Sequence, residues 1–175
     1  MDLTRHKKLR MKGHDYSAVG YYFLTIVTEG RLELFGHVSA GRFLPNEAGL
    51  MITQCINSLE ARFNGLELLN SAVMPNHVHL IIFNNNGHNI SEVMRQFKAT
   101  TSRMYKKGMA KNGWKEYGLR LWQRSFSDII IRNQRMFDYI NNYVSINPER
   151  WAYDKINDGH GQRTDEIYKE INDLR

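Results

Sequence analysis

The 175-residue sequence predicts one α+β domain, a ferredoxin-like sandwich in which a mainly antiparallel sheet carries packed helices. Three observations predict it. β-Branched and aromatic runs alternate with longer segments of helical apolar spacing, in the order β-β-α-β-β-α-β-α. Two of the strand-like runs are joined by Pro75-Asn76 alone. No internal repeat, low-complexity tract or linker divides the chain, and a hydrophobic fraction of 42% suits a globular core.

Residues 21–28 (Tyr-Tyr-Phe-Leu-Thr-Ile-Val-Thr) read as a strand, and 31–38 as its hairpin partner across Glu29-Gly30. Pro45 opens a helix through Phe63, with Ile52, Ile56, Leu59 and Phe63 on one core-facing stripe. Asn64-Gly65 stops it. Strands at 66–74 and 77–83 follow, then the loop Asn84-Asn85-Asn86-Gly87. A second helix spans 90–107, with Val93, Phe97, Thr100 and Met104 facing inward and Arg95, Lys98, Ser102 and Lys106 forming a basic face. Residues 108–120, rich in glycine and lysine, read as a mobile stretch. A short strand lies within 121–132, and a third helix covers 134–145 before Asn147-Pro148. The helices are expected on one face of the sheet. Residues 1–20 form a basic arm (Arg5, Lys7, Lys8, Arg10, Lys12), residues 21–152 the domain, and 153–175 a polar tail.

The single cysteine, Cys55, excludes an internal disulfide, favours a reducing compartment and reads as a buried structural thiol. No apolar run approaches the roughly 20 residues of a spanning helix, and the first residues lack a signal-peptide core. A cytoplasmic protein with no membrane partner is expected. The formal net charge of +6 points to a polyanionic partner; the alternative is a merely basic protein.

The run Met74-Pro75-Asn76-His77-Val78-His79-Leu80 carries the chemistry. On a strand, His77 and His79 share one face while Val78 points to the core with Leu80 and Ile82. Two imidazoles rooted about 7 Å apart can converge on one divalent ion. His-x-His also arises by chance, and the alternative is a pair of histidines on a solvent face. The remaining histidines, His6, His14, His37, His88 and His160, read as surface residues.

On the third helix, Tyr139, Tyr143 and Asn147 follow at four-residue spacing, with Phe137, Ile140 and Val144 toward the core. A tyrosine oxygen can attack a phosphodiester and hold the DNA as a 5′-phosphotyrosine, provided a Lewis acid polarises the phosphate. Asn147 offers an amide oxygen as a third ligand, although the following proline sets it just off the helix end. Aromatics at helical spacing are more often packing, and that alternative stays open for both tyrosines.

Taken together, these runs resemble the single-tyrosine HUH transposases, in particular the branch associated with repetitive extragenic palindromes. The resemblance covers residues 9–151. It also draws on Gly20-Tyr21-Tyr22-Phe23, Leu34-Phe35-Gly36, Phe97-Lys98 with Thr101-Ser102, Leu121-Trp122-Gln123-Arg124, and Tyr143-Val144-Ser145-Ile146-Asn147-Pro148. It implies that His77 and His79 are paired metal ligands, that Tyr143 is the nucleophile, and that Asn147 stands where other members carry glutamine. It gives Tyr139 no role. Many relatives have an aromatic pair where this chain has Phe126-Ser127, which bears on DNA contacts rather than catalysis.

The function implied is a transposase that nicks and rejoins hairpin-bearing single-stranded DNA with Mg²⁺ or Mn²⁺ and no nucleotide cofactor, as a monomer or a homodimer. Arg95, Lys98, Arg103 and Lys106 are the expected DNA-binding residues, with a solvated helix face as the plainer reading. Trp122 reads as core rather than as a base-stacking platform. The alternatives are a non-catalytic DNA binder of the same fold and a metal-dependent phosphodiesterase that activates water.

Overall fold

The computed structural model describes residues 15–154 together with Ile156, Ile171 and Leu174. The cationic residues of the N-terminal arm and His6, His14 and His160 lie outside the described residues.

Four strands form the main sheet: β1 (Gly20–Val27), β4 (Leu66–Met74), β5 (His77–Asn84) and β6 (Ser127–Ile131). Their order is β4-β5-β1-β6, with every neighbour antiparallel. This is the sandwich topology that the sequence predicts. The expected hairpin between 21–28 and 31–38 does not form. Both edges of β1 are taken, by β5 and by β6. After β1 the chain turns at Gly30 and Arg31, whose φ angles of 64° and 56° lie in the left-handed region. It then buries the consecutive residues Leu34 and Phe35, which breaks strand alternation. The hairpin in this region is instead β2 (Gly36–Ser39) with β3 (Arg42–Pro45), a separate two-stranded ribbon.

The helix expected over 45–63 is two pieces, α1 (Glu47–Asn57) and α2 (Leu59–Arg62). Asn46, not Pro45, starts α1: its side chain accepts from the Gly49 amide at 2.9 Å. Ser58 interrupts it by donating its hydroxyl to the Cys55 carbonyl at 2.8 Å. The stripe is otherwise as predicted, with Ile52, Ile56 and Leu59 fully buried.

Helix α3 (Ile90–Asn112) runs one turn beyond the expected end, into the stretch read as mobile. Its Gly108 is buried because the Trp114 ring fills the space a Cβ would need, and Gly113 caps it at φ 65°. Its inner face also differs from expectation: Thr101 and Tyr105 are fully buried, whereas Thr100 is half-buried and Met104 exposed. Thr101 wins that position through hydrogen bonds, donating to the Phe97 carbonyl at 2.8 Å and accepting from Trp122 Nε1 at 2.8 Å.

Helices cover both faces of the sheet, not one. α1 and α3 pack with Tyr22, Leu24, Ile26, Val78, Leu80 and Ile82. On the opposite face, α4 (Gln134–Ser145) packs through Met136, Ile140, Tyr143 and Val144 on Phe23, Ile81, Ile129 and Ile131. A bulge helps seat α4. Between Leu68 and Asn70 the β4–β5 register shifts, so Leu68 pairs with Ile82 but Asn70 with Ile81. That single extra residue moves Asn70 to the α4 face, where Asn70 Nδ2 donates to Asn141 Oδ1 at 2.7 Å and Ser145 Oγ at 3.0 Å.

Candidate metal centre and tyrosine site

The two histidines sit on β5, a strand paired on both sides: His79 opposes Thr25 on β1 and Ala72 on β4. Strand alternation sends Val78 and Leu80 to the α1/α3 core and both imidazoles to the α4 face. His77 is 0% and His79 2% exposed. Their Nε2 atoms are 3.1 Å apart.

Each ring is held by its other nitrogen. Asn76 Nδ2 donates to the Arg31 carbonyl at 3.2 Å and the Ile156 carbonyl at 2.9 Å. Asn76 Oδ1, 2.8 Å from His77 Nδ1, is therefore the acceptor, and Nδ1 carries the proton. That leaves the His77 Nε2 lone pair facing inward. His79 Nδ1 meets Thr25 Oγ1 at 2.9 Å; in the tautomer in which Nδ1 donates to that hydroxyl, the His79 Nε2 lone pair is free as well. Such outer hydrogen bonds orient metal-binding imidazoles.

Burial pushes His77 down to about 3, with the Asn147 side chain pulling the other way and Arg31 adding to the depression. His79 is held well below its ordinary value by burial and then by His77, against an upward pull from Asp154. Both rings are therefore neutral near pH 7, the state a metal ligand requires.

From the opposite face, α4 brings Tyr143, whose hydroxyl is 3.5 Å from His79 Nε2. Its ring stands edge-on to Phe23 and His79 and is 6% exposed. α4 ends at Ser145, so Asn147 lies just past the helix, as expected from Pro148. Asn147 is fully buried, and its side chain lies close enough to His77 to favour the protonated ring, yet its Oδ1 completes no hydrogen bond among the described residues. An orphaned buried amide oxygen is costly.

These residues fit a divalent ion. Two ligand nitrogens about 2.1 Å from one ion stand about 3.0–3.4 Å apart for right-angled to tetrahedral geometry, and the observed 3.1 Å falls in that interval. Neutral imidazoles with an amide oxygen suit a hard or borderline cation.

The predicted His77, His79, Tyr143 and Asn147 thus come together. Sequence reasoning missed Asp154, which lies in the stretch read as polar tail. Its Oδ2 is 3.8 Å from His77 Nε2, and it forms a potential ligand cluster with the two histidines. It also missed Asn76 and Thr25 as supports, and Trp151, whose ring stacks on His77 at 6.0 Å. Tyr139 stays half-buried on α4.

The expected DNA-binding residues do not join this cluster. They lie on α3, across the sheet. Arg95 is paired with Glu92 through two 2.6 Å contacts. Lys98 donates to the carbonyls of Gln123, Arg124 and Ser125. Arg103 and Lys106 line an open hollow of about 530 Å³ with Ser102 and Lys107. Trp122 is core, 3% exposed between Phe35 and Phe97. Among the described residues, no helix is long and apolar enough to cross a membrane.

Known proteins are similar to this chain in sequence or in fold. An uncharacterized protein of Haemophilus influenzae is 24% identical over 176 residues, covering 88% of this chain and 94% of its own. A solved REP-associated tyrosine transposase bound to a REP hairpin superposes with a TM-score of 0.57 at 21% identity, over 83% of this chain and 77% of its own. A Deinococcus radiodurans R1 protein, named provisionally as a transposase, gives 0.50 at 22% identity, over 78% and 96%. Both structures share the fold. Residues 42–147 match the IS200-like transposase family, a span that includes both histidines, the tyrosine and Asn147. The chain belongs to the IS200-like transposases.

Proposed function

We propose that this transposase nicks and rejoins single-stranded DNA through a covalent 5′-phosphotyrosine on Tyr143, with a divalent metal held by His77, His79 and Asn147. One observation carries the reading: α4 brings the Tyr143 hydroxyl 3.5 Å from His79 Nε2, beside the paired Nε2 atoms of the two imidazoles and a buried amide oxygen that has no hydrogen-bond partner among the described residues. Mg²⁺ or Mn²⁺ bound there would polarise the scissile phosphate and offset its developing charge.

The Tyr143 oxygen attacks phosphorus and the bond from phosphorus to the 3′-oxygen breaks. The phenolic proton ends, net, on the departing 3′-hydroxyl. One phosphate ester replaces another, so a second 3′-hydroxyl attacks the phosphotyrosine, restores Tyr143 and joins new ends. Phe23 and His79 fix the plane of the Tyr143 ring. Because that ring is 6% exposed, the substrate phosphate reaches it only by displacing part of its cover.

The relative solved with a REP hairpin supports a folded single strand as substrate. Arg103 and Lys106, separated from the tyrosine by the sheet, would hold phosphates remote from the cut. Since one chain supplies Tyr143 and both histidines, a homodimer is not needed to build the site. The test incubates the protein with a hairpin oligonucleotide and Mn²⁺, then resolves adducts on a denaturing gel. An EDTA-sensitive adduct lost in Tyr143→Phe is expected. An adduct that survives Tyr143→Phe overturns the assignment. Cleavage with no protein–DNA link identifies a water-activating phosphodiesterase, and salt-dependent binding with no cleavage identifies a non-catalytic binder.

A further inference from the structure

We propose that Asp154 is a fourth ligand of this centre, delivered by a C-terminal stretch that Asn76 fastens to the histidine strand. The inference rests on the metal reading above and extends it to a residue that lies beyond the span matching the family.

The geometry is specific. The ligand atoms of His77, His79 and Asp154 lie within 4.8 Å of one another. Asp154 Oδ1 accepts from the Ile156 amide at 2.8 Å, which leaves Oδ2 on the side of His77 Nε2, 3.8 Å away. The Asp154 side chain is only 7% exposed. A carboxylate so buried needs a cation or several donors. Among the described residues no lysine or arginine forms a salt bridge with it, and its contact with Asn147 Nδ2 is long, at 3.5 Å. The neutral imidazoles supply no charge. An ion held between Asp154 and the histidines balances the carboxylate and would be shared by the two Nε2 atoms, which lie 3.1 Å apart.

The stretch is held where it can do this. The Asn76 amide that sets the His77 tautomer also donates to the Ile156 carbonyl at 2.9 Å, two residues past Asp154. Trp151, three residues before Asp154, lies nearly parallel to the His77 ring, at 29°. The carboxylate is thus gripped from both sides. With two imidazoles, one amide oxygen and one carboxylate, the donor set carries a single negative charge and favours Mg²⁺ or Mn²⁺ chemistry over a thiophilic ion.

The experiment measures Mn²⁺ binding to the full chain, without DNA, from the electron paramagnetic resonance signal of the free ion. Asp154→Asn preserves shape and the Ile156 contact but removes the charge. It is expected to weaken Mn²⁺ by about tenfold or more while the metal-free melting temperature stays level or rises. A purely structural aspartate would instead lower that melting temperature and leave the affinity intact. Parent-like Mn²⁺ affinity in Asp154→Asn overturns the proposal. Parent-like affinity in His79→Ala would overturn the metal reading itself, so the two failures are distinguishable.

Discussion

Replacing Asn76 with alanine is expected to destabilise the fold by about 3–6 kcal/mol and to free the His77 ring. Asn76 is fully buried. Its side chain satisfies the Arg31 carbonyl, the Ile156 carbonyl and the His77 Nδ1 proton. Each group loses its partner in Asn76→Ala without regaining water in full, at about 1–2 kcal/mol apiece. Against a typical total of about 5–15 kcal/mol, that is a large fraction. The main-chain carbonyl of Asn76, which accepts from the Thr28 amide at 2.8 Å, is untouched, so the turn itself should persist. With a urea slope of about 2 kcal/mol per molar, the unfolding midpoint should fall by about 1.5–3 M.

Asn76→Asp sharpens the test. It keeps an acceptor for His77 but turns a donor into an acceptor facing two carbonyls, and should be at least as damaging. Urea denaturation followed by circular dichroism reads the stability. Nitrogen-15 spectra of the imidazoles read the tautomer, which should change from a single Nδ1-protonated form to a mixture at His77. A midpoint within about 0.3 M of the parent, with an unchanged His77 spectrum, would refute the reasoning.

Tyr143→Phe keeps the ring packing on Phe23 and His79 and should cost about 0.5–1.5 kcal/mol, the net worth of a hydroxyl hydrogen bond; a thermal melt checks that lost adduct formation is not lost folding. Thr25→Val removes the partner of His79 Nδ1 and should weaken Mn²⁺ binding about 10–100-fold, measured by the same titration of free ion. Gly108→Ala places a methyl 2.2 Å from the Trp114 ring and should destabilise by about 1–3 kcal/mol, read as a lower urea midpoint. Mn²⁺ at about a hundred times its dissociation constant should add about 2.7 kcal/mol and raise the melting temperature by about 5–10 °C; no shift on adding metal, or none on removing it with EDTA, would contradict the site.

Local signals read truly where local forces decide. The strand at 77–83, the turn at Pro75-Asn76 and the helix at 134–145 follow from alternation, turn chemistry and apolar spacing, and the structure has them. The 21–28/31–38 hairpin failed because a strand with two better partners leaves no edge for its neighbour in sequence. The expected inner face of α3 holds at Val93 and Phe97 and shifts by one residue beyond them, to Thr101 and Tyr105, whose hydroxyls find partners in Trp122 and the Lys115 carbonyl. Asp154 carried no signal at all. It stands seven residues past Asn147 in a polar stretch, and only the path of the chain back over β5, fastened by Asn76, brings it to the histidines. A bulge moved Asn70 to the face that docks α4, and alternation alone could not foresee it.

The sheet divides stability from chemistry along a single strand. Val78, Leu80 and Ile82 of β5 enter the core built by α1 and α3, while His77 and His79 of the same strand face α4. The two Nε2 atoms stand 3.1 Å apart, a spacing that an edge strand could lose by bending. β5 cannot, because β1 and β4 pair with it along its length and its other side chains are locked in the opposite core. The histidines are therefore held near the spacing that one ion would require by pairing on both sides and by packing on the far face. The proposed nucleophile is placed differently. Tyr143 rides on a helix docked through Asn70 and a smaller apolar cluster, so α4 can shift relative to the sheet at lower cost than the histidines can. Under the proposed mechanism, a buried tyrosine that must meet a bulky DNA phosphate calls for that division: rigid ligands on the strand, and the nucleophile on a more easily moved element.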